Sequence, residues 1–351
     1  MAEKFGVTEK RLLSQRISCS DCKTPGEIMA RLVAIQGQDY YGALWSLALR
    51  LPGARVSDIE RAIADRQIVR TWLMRGTLHF TSAGDVRGLL RLVAPRILKG
   101  SASRNRQLGL NEKIFARCAE IIHKRLKGGH CLTRAELLSS ISESGIAVDA
   151  ARGYHILWNS ALEGLICFGP QAGREQTFVL LDEWVPACGA ELSAEELAER
   201  YFSSRGPATL QDFVWWSGLK ITDARAAVGS AGGTLAAEAA GGNTYYSARL
   251  PRCGMQNSEM FLLPGFDEFL LAYKDRSASL DPKHAEFVCP GGNGVFKPTM
   301  VMDGRVIGIW KRDSRKNTLI PIPFGKFTAG QERAFARAAE KYREYLFLTG
   351  L

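Results

Sequence analysis

Arg70-Thr71-Trp72-Leu73-Met74-Arg75-Gly76-Thr77-Leu78-His79 is a β-rich run interrupted at Arg75-Gly76, where a chain can reverse direction. Trp72, Met74 and Leu78 alternate as on a strand with one face in a core. Extended from Ile68 to Thr81, the run predicts two strands with a tight connection between them. What precedes it is helical. Thr24-Pro25-Gly26-Glu27 predicts an N-cap with proline at the first helical position, and Ile28, Leu32 and Ile35 follow at helical spacing. The spacing runs this helix into Gln36-Gly37-Gln38. Tyr41 to Leu49 predicts a second helix, and Ser57-Asp58-Ile59-Glu60 opens a third. Three helices followed by a hairpin describe a winged helix.

The order recurs after Asn111. Helices are expected at 112–126, 133–144 and 151–164, then strands at Leu165–Phe168 and Thr177–Leu181 around a turn-rich segment from Gly169 to Arg174. A third round is expected from helices at 194–203, 209–216 and 222–228 and a weaker hairpin over 232–248. From Met260 the texture changes to short apolar runs, at Phe261–Pro264, Phe269–Tyr273, Thr299–Met302 and Val306–Trp310, with Asp303-Gly304 predicting a type I′ turn. A helix over Ala329–Tyr345, with Phe335, Ala338 and Tyr342 at core spacing, closes the chain. The expected fold class is therefore α+β: three tandem winged-helix motifs, a C-terminal small β-barrel or sheet, and a terminal helix. The expected divisions are 1–108, 109–190, 191–255 and 256–351.

At 351 residues, with 46% hydrophobic and 23% charged positions, the chain is long enough for two or three cores. Lys and Arg number 46 against 36 Asp and Glu, a net charge of +10. That balance favours a polyanionic partner, because each phosphate neutralised releases condensed counterions. The eight cysteines lack the dense regular spacing of a secreted disulfide framework, so a reduced, cytoplasmic setting is expected. Cys19 and Cys22 have the spacing of half a zinc site, but no second pair completes four ligands, and ordinary thiols are the better reading. No run of about 18 apolar residues suggests a membrane span.

The familiar hydrolytic constellations are missing: there is no HExxH, GxSxG or P-loop, and none of the five histidines has ligand spacing to another. Neither a metal nor a cofactor is expected. Gln36 and Gln38 carry neutral amides, which orient water through their carbonyls but are not strong bases. On a regular helix these two side chains point about 200° apart, so a shared site requires the backbone to leave helical geometry there. Gly37 eases that departure.

Gln36-Gly37-Gln38 and the Arg70–His79 stretch together resemble the AlkZ-like bacterial DNA glycosylases, which excise alkylated bases. The resemblance continues through Gly206–Gly218, Leu263-Pro264-Gly265-Phe266-Asp267 with Asp275-Arg276, and Asp303–Trp310, in order from about Leu12 to Tyr345. It implies tandem winged helices and a monofunctional enzyme that hydrolyses the N-glycosidic bond of N7-alkylguanine and unhooks interstrand crosslinks. Gln36 and Gln38 would be catalytic, with Asp39, Arg75 and His79 as supporting candidates. Gly37 stands where the family usually carries a larger apolar residue. Arg104, Arg106, Lys124, Arg125, Arg174, Lys311 and Arg312 are candidate contacts to the DNA backbone. The partner implied is double-stranded DNA carrying alkylated purines, met by a monomer at the nucleoid. Lys283–Lys297 is a candidate for a loop or hairpin that probes the duplex. The alternative is a winged-helix regulator without enzymatic activity, in which the glutamines are structural.

Overall fold

The computed structural model describes residues 6–173, 175–185, 191–248, 258–313, 315 and 318–346. After α1 (Val7–Ser14) comes α2 (Pro25–Leu32), β1 (Ala34–Gln36), α3 (Tyr40–Leu49), α4 (Val56–Ala64), β2 (Ile68–Trp72) and β3 (Leu78–Ser82). The long α5 (Val86–Gln107) leads to α6 (Glu112–Leu126), β4 (Leu132–Thr133), α7 (Arg134–Glu143), α8 (Ala150–Leu162), β5 (Ile166–Phe168), β6 (Thr177–Leu180) and the short α9 (Leu181–Trp184). Then follow α10 (Ala194–Arg205), β7 (Ala208–Thr209), α11 (Leu210–Ser217), α12 (Ile221–Ser230), β8 (Ala236–Ala240) and β9 (Asn243–Ser247). The order helix, strand, helix, helix, strand, strand thus occurs three times. The remainder is β10 (Met260–Leu263), α13 (Glu268–Leu271), α14 (Ala285–Val288), β11 (Thr299–Met302), β12 (Arg305–Asp313), β13 (Thr318–Pro323) and α15 (Ala329–Leu346).

Contacts divide the chain into two compact units, one made of residues 1–61 with 194–351, the other of 62–193. In the second unit the strands run β3-β2-β5-β6-β4, all neighbours antiparallel. Its core is aromatic: Trp72 lies 5.1 Å from Phe168 and 6.3 Å from Phe178, ring centre to ring centre. At the break in the predicted hairpin Arg75 adopts φ 57°, and Gly76 follows at φ 72° with its carbonyl accepting from Trp158 Nε1. A Cβ on Gly76 would stand 2.9 Å from the Trp158 ring, so glycine is needed here for space as well as for its dihedral.

The first unit holds a three-stranded sheet, β7-β9-β8, and a four-stranded antiparallel sheet, β10-β11-β12-β13. Its apolar core gathers Leu12, Ile17, Phe261, Leu263, Phe269, Val301 and Ile309. The β11–β12 turn is built at Asp303-Gly304, both at positive φ as a type I′ turn requires. Along α15, Ala338 is buried, while Tyr342 meets Trp45 and Trp310 edge-on at 4.9 and 5.2 Å.

Several expectations are corrected. Phe269–Tyr273 is not a strand: Asp267 accepts from the Phe269 amide and starts α13 instead. Ile35 is not helical but lies in β1. Lys283–Lys297, expected as a loop or hairpin, is a loop with short helical turns around α14 and no strands. Cys19 is disulfide-bonded rather than an ordinary thiol, since spacing along the chain does not reveal which sulfurs meet in space, whereas Cys22 is free. Cys188 and Cys253 lie outside the described residues.

Candidate active site

The glutamine motif sits at a joint between strand and helix. Helix α2 opens on the Thr24 cap, whose hydroxyl accepts from the Glu27 amide, and it ends at Leu32. Val33 then takes φ 65°, ψ −56°, a positive-φ γ-turn conformation in which a β-branched residue is strained by about 1–3 kcal/mol. This reversal ends the helix and lays Ala34–Gln36 out as β1. Gln36 ends the strand and Gln38 lies in the bend that follows, so neither is in the helical geometry that would splay the two side chains apart. Gln36 is buried at 9% exposure and Gln38 is exposed. Asp39 caps α3, its carboxylate accepting from the Gly42 amide at 3.1 Å.

Behind the joint lies a cluster of buried ions. Glu268 Oε1 accepts from the Gln36 backbone N–H at 3.1 Å. Its other oxygen accepts from Arg205 Nε and Nη2 at 3.1 and 2.8 Å and from Trp216 Nε1 at 3.0 Å. The same Arg205 donates to the carbonyls of Leu32 at 2.8 Å and Ala34 at 2.7 Å, on either side of Val33. Its guanidinium also stands 4.4 Å over the Trp216 ring.

Next along the chain, Asp267 forms a two-pronged pair with Arg50, at 2.9 and 2.8 Å. Burial alone would raise the Asp267 carboxyl, but the charge and hydrogen bonds of Arg50, with the Phe269 amide and the Ser46 hydroxyl, hold it below the usual value. Arg50 also binds the backbone and side-chain oxygens of Gln15. Gln15 in turn donates to Tyr273, which donates to the Arg205 carbonyl. Burial pushes the Tyr273 hydroxyl up to about 12, which keeps it a donor. A third pair, Arg11 and Asp212 at 3.9 Å, completes the cluster, with Arg11 3.6 Å over the Tyr273 ring.

In the 62–193 unit, Arg75 forms the break between β2 and β3, and His79 on β3 is fully buried with Nδ1 2.9 Å from the Thr77 carbonyl. Arg104 and Arg106 are exposed in the last turn of α5, and Lys124 and Arg125 in the last turn of α6, where cations also favour the helix dipole. Arg174 lies outside the described residues. In the other unit Lys311 and Arg312 are exposed on β12, facing opposite sides as strand neighbours do. Arg312 hydrogen-bonds Tyr342 and Asp39 acts on the same hydroxyl electrostatically, so these two predicted residues meet around one ring; burial raises that hydroxyl on balance.

The sequence pattern did not single out Glu268, Arg205, Trp216 or Arg50. Glu268 and Arg50 carried one signal, a charge set in an apolar run, in Glu268-Phe269-Leu270-Leu271 and Leu47-Ala48-Leu49-Arg50-Leu51. Among the described residues no group of three or more potential ligands could hold a metal ion. A cavity of about 560 Å³ lies between Trp45, Leu49, Phe261 and Tyr345, and neither Gln36, Gln38 nor Glu268 lines it. No described helix is long and apolar enough to cross a membrane.

Comparison with known proteins gives a consistent picture. The sequence profile of the family described as DNA glycosylase AlkZ-like matches residues 29–345. The chain is 27% identical over 339 residues to an interstrand DNA cross-link repair glycosylase of Streptomyces sahachiroi, covering 90% of this chain and 88% of that protein. Its fold is similar to the solved structure of Streptomyces sahachiroi DNA glycosylase AlkZ, with a TM-score of 0.80 at 24% identity over 96% of this chain and 95% of that one.

Proposed function

Since the chain belongs to the AlkZ-like DNA glycosylases, we propose that it hydrolyses the N-glycosidic bond of N7-alkylguanine in double-stranded DNA through Gln36 and Gln38. The observation that carries this reading is the joint at the end of β1, where a strained turn at Val33 takes both glutamines out of helical geometry. The chemistry suits neutral amides. An N7-alkylated guanine is already cationic, so its bond to the sugar weakens without an acid, and what remains is to place a water at the anomeric carbon. A glutamine carbonyl accepts a hydrogen bond from that water and orients it; the base leaves as neutral N7-alkylguanine with the bonding electrons, and the proton the water sheds on joining the sugar passes to solvent. The oxocarbenium-like sugar is met by the same amide oxygens. Asp39 is a second source of negative charge at the joint, shared with its cap to Gly42.

The lysines are assigned no nucleophilic role, so the product is an intact strand with an apurinic site. Lys311 on β12 and the exposed cations of α5 and α6 serve as phosphate contacts. The similarity to a cross-link repair glycosylase supports the extension to crosslinked N7-alkylguanines, with the enzyme acting as a monomer. The test is a duplex with one N7-methylguanine. Free base should appear together with an alkali-labile but unbroken strand, and borohydride should trap no protein–DNA adduct. A trapped adduct contradicts the hydrolytic route; no release from this lesion or from an N7-linked crosslink contradicts the enzymatic reading and favours a binding protein.

A further inference from the structure

Resting on the reading of Gln36 and Gln38 as the water-placing pair, we propose that Glu268 is the positioning residue of the motif. One carboxylate oxygen fixes the Gln36 backbone, while the other is anchored by Arg205 and Trp216. Each oxygen has a separate task, and the residue is 1% exposed, so it does not touch DNA itself. Its partner Arg205 holds the Leu32 and Ala34 carbonyls. One ion pair therefore fixes three backbone groups within five residues of chain, on both sides of Val33.

The clamp serves geometry rather than bulk stability. A β-branched residue at φ 65° persists only where its surroundings over-determine it, and here the surroundings are Arg205 and Glu268. Buried ion pairs contribute little that well-packed apolar residues would not, so directional hydrogen bonding is what this pair adds. The neighbouring Asp267–Arg50 pair then secures Glu268 from the next position in the chain. Neutral amides act mainly by placement, and misplacing a reacting group by about 1 Å costs on the order of 100-fold in rate. The clamp thus bears on the chemical step and leaves DNA binding untouched.

Glu268→Gln keeps the shape and one oxygen acceptor while removing the charge. Single-turnover release of N7-methylguanine should fall about 10- to 100-fold, with affinity for the lesion duplex within about twofold of wild type. The Gln36 amide proton, shifted downfield by the carboxylate, should move upfield. Added to a protein that already carries Gln36→Ala and Gln38→Ala, the substitution should slow the residual release no further, since Glu268 acts through those two side chains. A cooperatively melting Glu268→Gln protein with wild-type rate overturns the proposal, as does a further loss on top of the two glutamine substitutions. If Glu268→Gln does not melt cooperatively, Trp216→Phe removes one anchor of the far oxygen and should slow release at unchanged affinity; a wild-type rate there overturns the proposal equally. Full release by Gln36→Ala and by Gln38→Ala instead removes the reading on which the proposal rests, and that result is visible without any change at Glu268.

Discussion

The chain builds one joint three times, each time where the first strand of a helix-strand-helix-helix-strand-strand round passes into its second helix, and the first copy differs from the other two. At Thr133 and Thr209 the last strand residue is itself the helix cap, and each closes a reciprocal capping box, with Glu136 and with Asp212. These joints are made by residues three apart. In the first copy Gly37 and Gln38 intervene between the strand end at Gln36 and the cap at Asp39, and the backbone before them is strained. That joint is held by Arg205 and Glu268, more than 170 residues away in sequence. The later joints are thus secured by neighbours in sequence, whereas the first is secured through its backbone from behind.

The difference can be broken first at its support. Arg205→Met strands the Glu268 carboxylate in the interior and should cost about 3–5 kcal/mol, a fall in melting temperature on the order of 10 °C. A loss of only a degree or two would show that the ion pair does not hold the joint. Acid should act in the same direction. The folded-state pKa of Asp267 is depressed, so its contribution is present above the unfolded value and is lost as pH falls through that value toward the folded one. Below pH ~4 the loss should approach about 1.4 kcal/mol per pH unit, and Asp267→Asn should flatten that limb of the curve. The contrast case is Thr133→Ala, which removes a local cap and should cost about 1 kcal/mol in denaturant melts while base release stays at the wild-type rate. The smallest effect is expected at Lys311→Ala, which should weaken duplex binding uniformly across sequences and reduce the salt slope by about 1.

The same contrast explains what the sequence let us read. Thr133 and Thr209 lie three residues before an acid, and the helices they start were legible because the signal is local. Ile35 continues the helical spacing of Ile28 and Leu32, and nothing nearby in sequence contradicts it; the contradiction comes from Arg205, which binds the carbonyls on both sides of Val33. Phe269–Tyr273 misled for another reason: a five-residue apolar run has no period that separates strand from helix, and the deciding cap, Asp267, lies outside the run. The glutamines were legible as a pair through their resemblance to a family. Their support was not, because a charge beside an apolar run at Glu268 marks a buried ion without naming Arg205 as its partner.

The most direct test of the account is single-turnover release of N7-methylguanine by wild type and by Gln38→Ala, with the variant's fold checked by thermal melting. Gln38 is exposed beyond β1 and outside the buried cluster, so the variant should melt like wild type. Release should fall by roughly 100-fold or more, the scale of losing a group that positions the reacting water. A well-folded Gln38→Ala protein that releases the base at the wild-type rate would contradict the assignment of the chemistry to the first joint.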